Sequence, residues 1–115
     1  MIGSPFVPQS NTYSLSVTTA AAITQISSPA PNSFRFRNKG SVDVYVWIYS
    51  VTDYVNAGNA VPSGFGVPSG AGAQSVGISP GAIEVLSFPR GASPYIAYIT
   101  STSTSILEVT AGEGV

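Results

Sequence analysis

The chemistry open to this chain is bounded by what it lacks: its 115 residues contain no histidine and no cysteine. The commonest general base, the imidazole metal ligand and all thiolate chemistry are thereby removed. The carboxylates are Asp43, Asp53, Glu84, Glu108 and Glu113. A carboxylate-only hydrolase needs two of them facing one another across roughly 5–9.5 Å, and nothing in their spacing positions such a pair. Serines and threonines are plentiful but have no histidine to activate them. Lys39, the sole lysine, stands in an expected turn, a poor place for a desolvated catalytic amine. The run Asp53-Tyr54-Val55-Asn56-Ala57-Gly58-Asn59 offers oxygen ligands, yet a calcium loop needs denser carboxylates and an acidic closing residue. A turn-forming Asx cluster fits that run better. No phosphate-cradling glycine pattern opens into a helix. The sequence therefore points to no catalytic residue, no metal and no cofactor, and the chain is read as a non-enzyme.

What remains is binding chemistry. Arg35 and Arg37 alternate with Phe34 and Phe36, which reads as a strand with phenylalanines inward and arginines outward. The outward pair suits either an edge strand or contact with a carboxylate-bearing neighbour. The only other cations are Lys39 and Arg90, too few for the basic footprint that nucleic acid requires. The stretch Ser41–Ser50 raises a sharper question. As a strand it places Val42, Val44, Val46 and Ile48 on one face, and Asp43, Tyr45, Trp47 and Tyr49 on the other. That aromatic face has three possible covers: the segment that follows it, a second subunit, where Tyr and Trp are enriched, or a sugar stacked on the rings.

The elements that must position these residues are strands. Short runs of Ser, Thr, Val, Ile and aromatics alternate between Gly, Pro and Asn punctuation. Strands are expected near 12–18, 22–26, 33–38, 42–49, 75–79, 82–88, 95–100 and 104–110, and no window shows helical periodicity. Asn38-Lys39-Gly40 reads as a hairpin loop with glycine in the left-handed position, and Ser79-Pro80-Gly81 as a tight turn. The expected fold is a single all-β domain over 1–115, an antiparallel β-sandwich of about eight short strands with jelly-roll or related Greek-key topology.

Two segments stand outside that rhythm. Residues 51–74 are rich in Gly and Pro, and a structureless stretch of that length is uncommon unless it has a function. Its one large side chain, Phe65, either folds back onto the sandwich or serves as an apolar anchor for a partner. Residues 1–11 (MIGSPFVPQSN), with Phe6 in a polar setting, read as a frayed tail or as an extended arm docked on a neighbouring subunit. They lack the basic region and apolar run of a signal peptide. No apolar run is long enough to span a membrane. Charged residues make up only 8% of the chain and the net charge is −1, a surface that favours self-association.

From Phe34 onward the phrases resemble those of small structural proteins of tailed-phage virions. FRFRNKGSVDVYV (34–46) is a strand, an Asn-x-Gly-Ser turn and a paired strand. ISPGAIEVLSFPRGASPYIAYIT (78–100) brings a Pro-Gly turn into an apolar strand, and SILEVTAGEGV (105–115) is a closing strand with a Gly-Glu-Gly tail. The resemblance is greatest to capsid decoration, or cement, proteins. It implies a homo-oligomer, with a trimer favoured over a dimer, that binds the major capsid protein on the outer surface of a phage head and bridges neighbouring capsomers. A head–tail adaptor or fibre-base module is the alternative within the virion, and a carbohydrate-binding module the alternative outside it. The long 51–74 segment departs from the short turn usual in such chains. Tyr45, Trp47, Tyr49, Phe65, Phe6, Arg35 and Arg37 are the expected contact residues.

Overall fold

The computed structural model describes residues 6–9 and 11–113. Its strands are β1 (Val7–Pro8), β2 (Tyr13–Val17), β3 (Ala22–Gln25), β4 (Ser33–Asn38), β5 (Val44–Tyr49), β6 (Val76–Ile78), β7 (Ile83–Leu86), β8 (Tyr95–Thr100) and β9 (Ser105–Glu113), with one helix, α1 (Val51–Asn56). In the first sheet β9 and β4 are central, β7 forms one edge, and β1 and β2 follow one another along the far side of β9. The second sheet runs β3-β8-β5-β6. Every ladder is antiparallel. From β2 onward the chain changes sheets at each step except β5 to β6. That interleaving of two sheets, each four strands wide, is a jelly roll.

Strict alternation explains which side chains fill the sandwich. Phe34 and Phe36 of β4, Val44, Val46 and Ile48 of β5, and Leu107, Val109 and Ala111 of β9 are all fully buried between the sheets. Ile96 of β8 and Leu15 and Val17 of β2 join the same core. The opposite faces of β4 and β9 carry Arg35, Arg37, Glu108 and Ile106.

Because the strands alternate between sheets, the expected hairpin at 38–40 is instead a corner that crosses from β4 in one sheet to β5 in the other. Asn38 is the reason the corner holds. It is fully buried, and its Nδ2 donates to the carbonyl oxygens of Val42 (2.7 Å) and Ile78 (2.8 Å). Its Oδ1 accepts from the Gly40 N–H (3.0 Å) and the Ser105 hydroxyl (2.7 Å). The main chain closes the same knot: Asn38 N–H donates to Ala82, and Gly81 N–H donates to Asn38. One side chain thus ties the β4–β5 corner, the β6–β7 corner and the start of β9. Gly40 does not adopt a left-handed conformation. Glycine is required there because a Cβ would overlap the Ser105 side chain and lie 2.8 Å from its Cα. The β6–β7 corner does follow its sequence signal, with Gly81 at φ +77° and Ala82 N–H donating to Ser79.

The amino-terminal arm lies on its own chain where it is described. Val7 and Pro8 pair with Glu113 and Gly112 of β9, and Gln9 N–H donates to Ala111. The Phe6 ring sits where a side chain at position 112 would go, 2.6 Å from the Cβ that Gly112 lacks. Residues 1–5 and 10 of the arm lie outside the described residues.

The 51–74 segment is also more ordered than its composition suggests. Ser50 and Asp53 form a capping box, the Ser50 hydroxyl accepting from Asp53 N–H (3.0 Å) and the Asp53 carboxylate from Ser50 N–H (3.1 Å). That box starts α1, a helix too short for hydrophobic periodicity to announce. Tyr54 docks it on the second sheet by stacking on Tyr95 of β8, with ring centroids 3.8 Å apart and planes within 8°. Gly58 and Asn59, at φ +78° and +58°, turn the chain out of the helix.

Asn38→Ala would remove the partner of two carbonyls, an N–H and a hydroxyl in and beside the buried core. We expect a loss of about 3 kcal/mol or more, read as a lower denaturant midpoint at unchanged slope. Gly40→Ala should lower the same midpoint through its collision with Ser105.

Candidate functional site

The aromatic face of β5 is covered by the chain's own 51–74 segment. Phe65 makes a single parallel bridge to Gln74, and Gln74 N–H donates to Gly64 (2.8 Å). This folds the segment flat over the outer face of the second sheet. Underneath lies a small second core in which Tyr49, Phe65 and Ala97 are buried and Trp47, Val61, Ile23, Tyr95 and Ile99 pack around them, a satellite cluster of the kind found under long loops. Ala97 is the cross-strand partner of Trp47, and its small side chain leaves room for the cover.

Each expected contact residue has a definite place. Phe65 is 8% exposed, so its ring packs within the chain and offers little to a partner. Tyr49 is buried beside it, and its hydroxyl donates to Gln74 Oε1 at 2.8 Å. Burial, with the Asp53 carboxylate as a second cause, pushes the Tyr49 phenol up to about 12. Tyr45 lies over Gly77 of the edge strand β6, its ring 3.2 Å from the position a Cβ would occupy. It fills the gap that glycine leaves, as aromatics do beside edge glycines. Trp47 and Tyr49 both border an opening, and of the two Trp47 is the less buried. It is half-buried and packs at 5.1 Å and 52° on Phe88, over which the Arg90 guanidinium lies 5.7 Å from the ring centroid.

The opening is a cleft of about 660 Å³ between α1, the 61–64 turn and the end of β5. Trp47 and Tyr49 contribute its aromatic surface. Asp53, Asn56, Ser63, Gln74 and Arg90 supply its polar groups. Asp53, weighed from the sequence as a calcium ligand, caps α1 instead. Among the described residues no three carboxylates gather where a metal could sit.

Arg35 and Arg37 lie on the opposite side of the molecule, on the outer face of the first sheet. By register Arg35 stands between Val85 and Thr110, and Arg37 between Ile83 and Glu108. Ile83 is 51% exposed, Val85 37% and Ile106 46%. Glu108 is paired with Lys39 at 3.4 Å, and among the described residues neither arginine has an ion-pair partner. Glu84 aligns with Phe36 on the inward side of the edge strand β7 yet is exposed. An inward-pointing charge of this kind discourages sheet-edge pairing, so this side of the molecule offers a face more than an edge. Phe6 belongs with β9, apart from both the cleft and the arginines.

Asn56 was weighed from the sequence with Asp53 as a calcium ligand; sequence reasoning missed Gln74 and Arg90 in the cleft, and Ile83, Val85 and Ile106 beside the arginines. The run AIEVLSF alternates with apolar residues on both faces, so nothing in it marks Ile83 and Val85 as outward. Gln74 meets Tyr49 across a segment whose path no local pattern dictates.

The chain matches no family model and no curated protein. Among solved structures it aligns with PirA at a TM-score of 0.55 and 12% identity, covering 87% of this chain and 92% of that one. It also aligns with a chain of the Bacillus endospore appendages that form disulfide-linked pili, at a TM-score of 0.43 and 10% identity over 96% of this chain and 90% of that one. The PirA likeness is one of fold.

A buried phenol that resists ionisation makes stability depend on pH at the alkaline end. The folded form holds its proton more tightly than the unfolded chain, so this contribution is complete below about pH 10 and is lost as pH rises from 10 towards 12. Unfolding titrations across that interval should show a falling midpoint, and Tyr49→Phe should flatten the fall.

Proposed function

We propose that the chain is a non-enzymatic structural protein of a tailed-phage virion: a decoration protein that binds the outer shell as an oligomer and bridges neighbouring capsomers. The observation that supports this reading best is the outer face of the first sheet, where two arginines with no ion-pair partner among the described residues stand beside exposed Ile83, Val85 and Ile106. Apolar side chains beside arginine are the composition of a protein interface, where Arg is enriched and Lys and Glu are depleted. Stable contacts bury about 800 Å² on each partner, and the broad side of a body 39 × 33 × 25 Å can supply such an area.

The remaining features agree with a rigid brick. A jelly roll pinned at its corners holds a sheet face flat against a lattice, and the fold class includes viral capsid domains. Fold alone does not decide function. The phrases that resemble decoration proteins form β4 to β5, β6 to β8 and β9, the strands that build the corners and the arginine face. Many copies on one shell would turn modest single-site affinity into firm retention.

Light scattering should return a discrete oligomer, and the protein should bind assembled shells of the major capsid protein. The double substitution Ile83→Asp with Arg37→Ala should weaken shell binding at least tenfold while leaving the thermal midpoint nearly unchanged. A stable monomer that ignores such shells would contradict the proposal.

A further inference from the structure

The cleft over Trp47 is a site of a different kind from the arginine face, on the other sheet, and its contents point to a ligand. We infer that it binds a saccharide ring, stacked on Trp47 and held through its hydroxyls by Asp53, Asn56, Gln74 and Arg90.

A sugar presents one C–H face that is apolar and a rim of hydroxyls that both donate and accept. The cleft has the matching halves. Trp47 is the half-open aromatic surface, packed on Phe88 at 5.1 Å. A volume of about 660 Å³ lies within the roughly 300–1,000 Å³ common for small-molecule sites.

The polar groups keep part of their hydrogen-bonding capacity free of intrachain partners. The Tyr49 hydroxyl donates to Gln74 Oε1 at 2.8 Å, which seats the amide beside the ring. Gln74 Nε2 is left with both hydrogens for a ligand. Gly64 makes this seat possible, since a Cβ there would come within 3.0 Å of the same Oε1. One Asp53 oxygen caps α1, which leaves the second carboxylate oxygen of this cleft-lining residue as a further acceptor. Asn56 contributes a second amide, with a donor and an acceptor side by side, from the last turn of α1. Arg90 adds a guanidinium to the lining, with Nη1 donating to the Pro89 carbonyl and the other N–H groups without an acceptor among the described residues. A carboxylate, two amides and a guanidinium around an indole suit adjacent hydroxyls on one ring far better than an apolar ligand, which would leave each of them desolvated without a partner.

Trp47 is the only tryptophan in the chain, so its emission reports occupancy directly. The protein is tested first on an immobilised panel of hexose, deoxyhexose and N-acetylhexosamine oligosaccharides. The strongest hit is then titrated as a soluble tetrasaccharide while Trp47 emission is followed, with a parallel pull-down on the corresponding insoluble polysaccharide. Saturable binding with a shift in Trp47 emission is expected. Asn56→Ala, an exposed change outside the capping box, should raise the dissociation constant at least tenfold with an unchanged thermal midpoint. Binding to the soluble sugar alone identifies short glycans as the source, and binding to both identifies polysaccharide chains. Absence of binding across panel and pull-down, or binding indifferent to both Asn56→Ala and Trp47→Phe, would overturn the inference. Neither outcome bears on shell binding, which uses the other face.

Discussion

The buried amide of Asn38 is the constraint on which the architecture turns. A jelly roll must carry its chain between two sheets at nearly every connection, and each crossing takes backbone polar groups out of a ladder and leaves them near the core. Asn38 accepts from Gly40 and Ser105 and donates to Val42 and Ile78, so all four of its hydrogen-bonding positions are filled and two corners and a strand start share one anchor. A fully satisfied buried polar group specifies a single arrangement, because any shift in register leaves its partners unpaired. The close approach of Gly40 to Ser105 is the steric counterpart of the same knot.

With the corners fixed, the two outer faces of the sandwich diverge. Over the second sheet the chain turns back on itself, and Phe65, Tyr49 and Ala97 form a second core beneath the 51–74 segment. The cover is incomplete: it stops beside Trp47 and leaves a cleft with polar walls. The first sheet has no comparable cover among the described residues, and Ile83, Val85 and Ile106 remain open around Arg35 and Arg37. One outer face thus carries a cleft with polar walls, and the other an open patch of apolar residues around two arginines.

The sequence made much of the fold legible because strand alternation is a local signal. The bounds of β4 and β8 follow directly from SFRFRN and YIAYIT, and the inward placement of Phe34, Phe36, Val44, Val46 and Ile48 follows from period two. What it hid depends on distant contacts. Asn38 looked like a turn residue, since its partners at Ile78 and Ser105 lie far along the chain. Helix α1 was masked by its brevity, although Ser50 and Asp53 stand at capping-box spacing. The question raised by Tyr45, Trp47 and Tyr49 could be posed from alternation alone. Its answer needed the path of a Gly- and Pro-rich segment that no periodicity describes. The same distance effect concealed Gln74 and Arg90.

Whether the aromatic face is closed within the chain or by a neighbouring subunit is the point on which the division of labour between the faces rests, and Trp47 reports on it without modification. Its emission maximum, followed through a dilution series with subunit number measured alongside by light scattering, is the most direct test. A cover supplied by residues 51–74 of the same chain predicts a constant maximum while any oligomer dissociates. A red shift that tracks dissociation would show that another subunit shields the indole, and would contradict the assignment of the two faces.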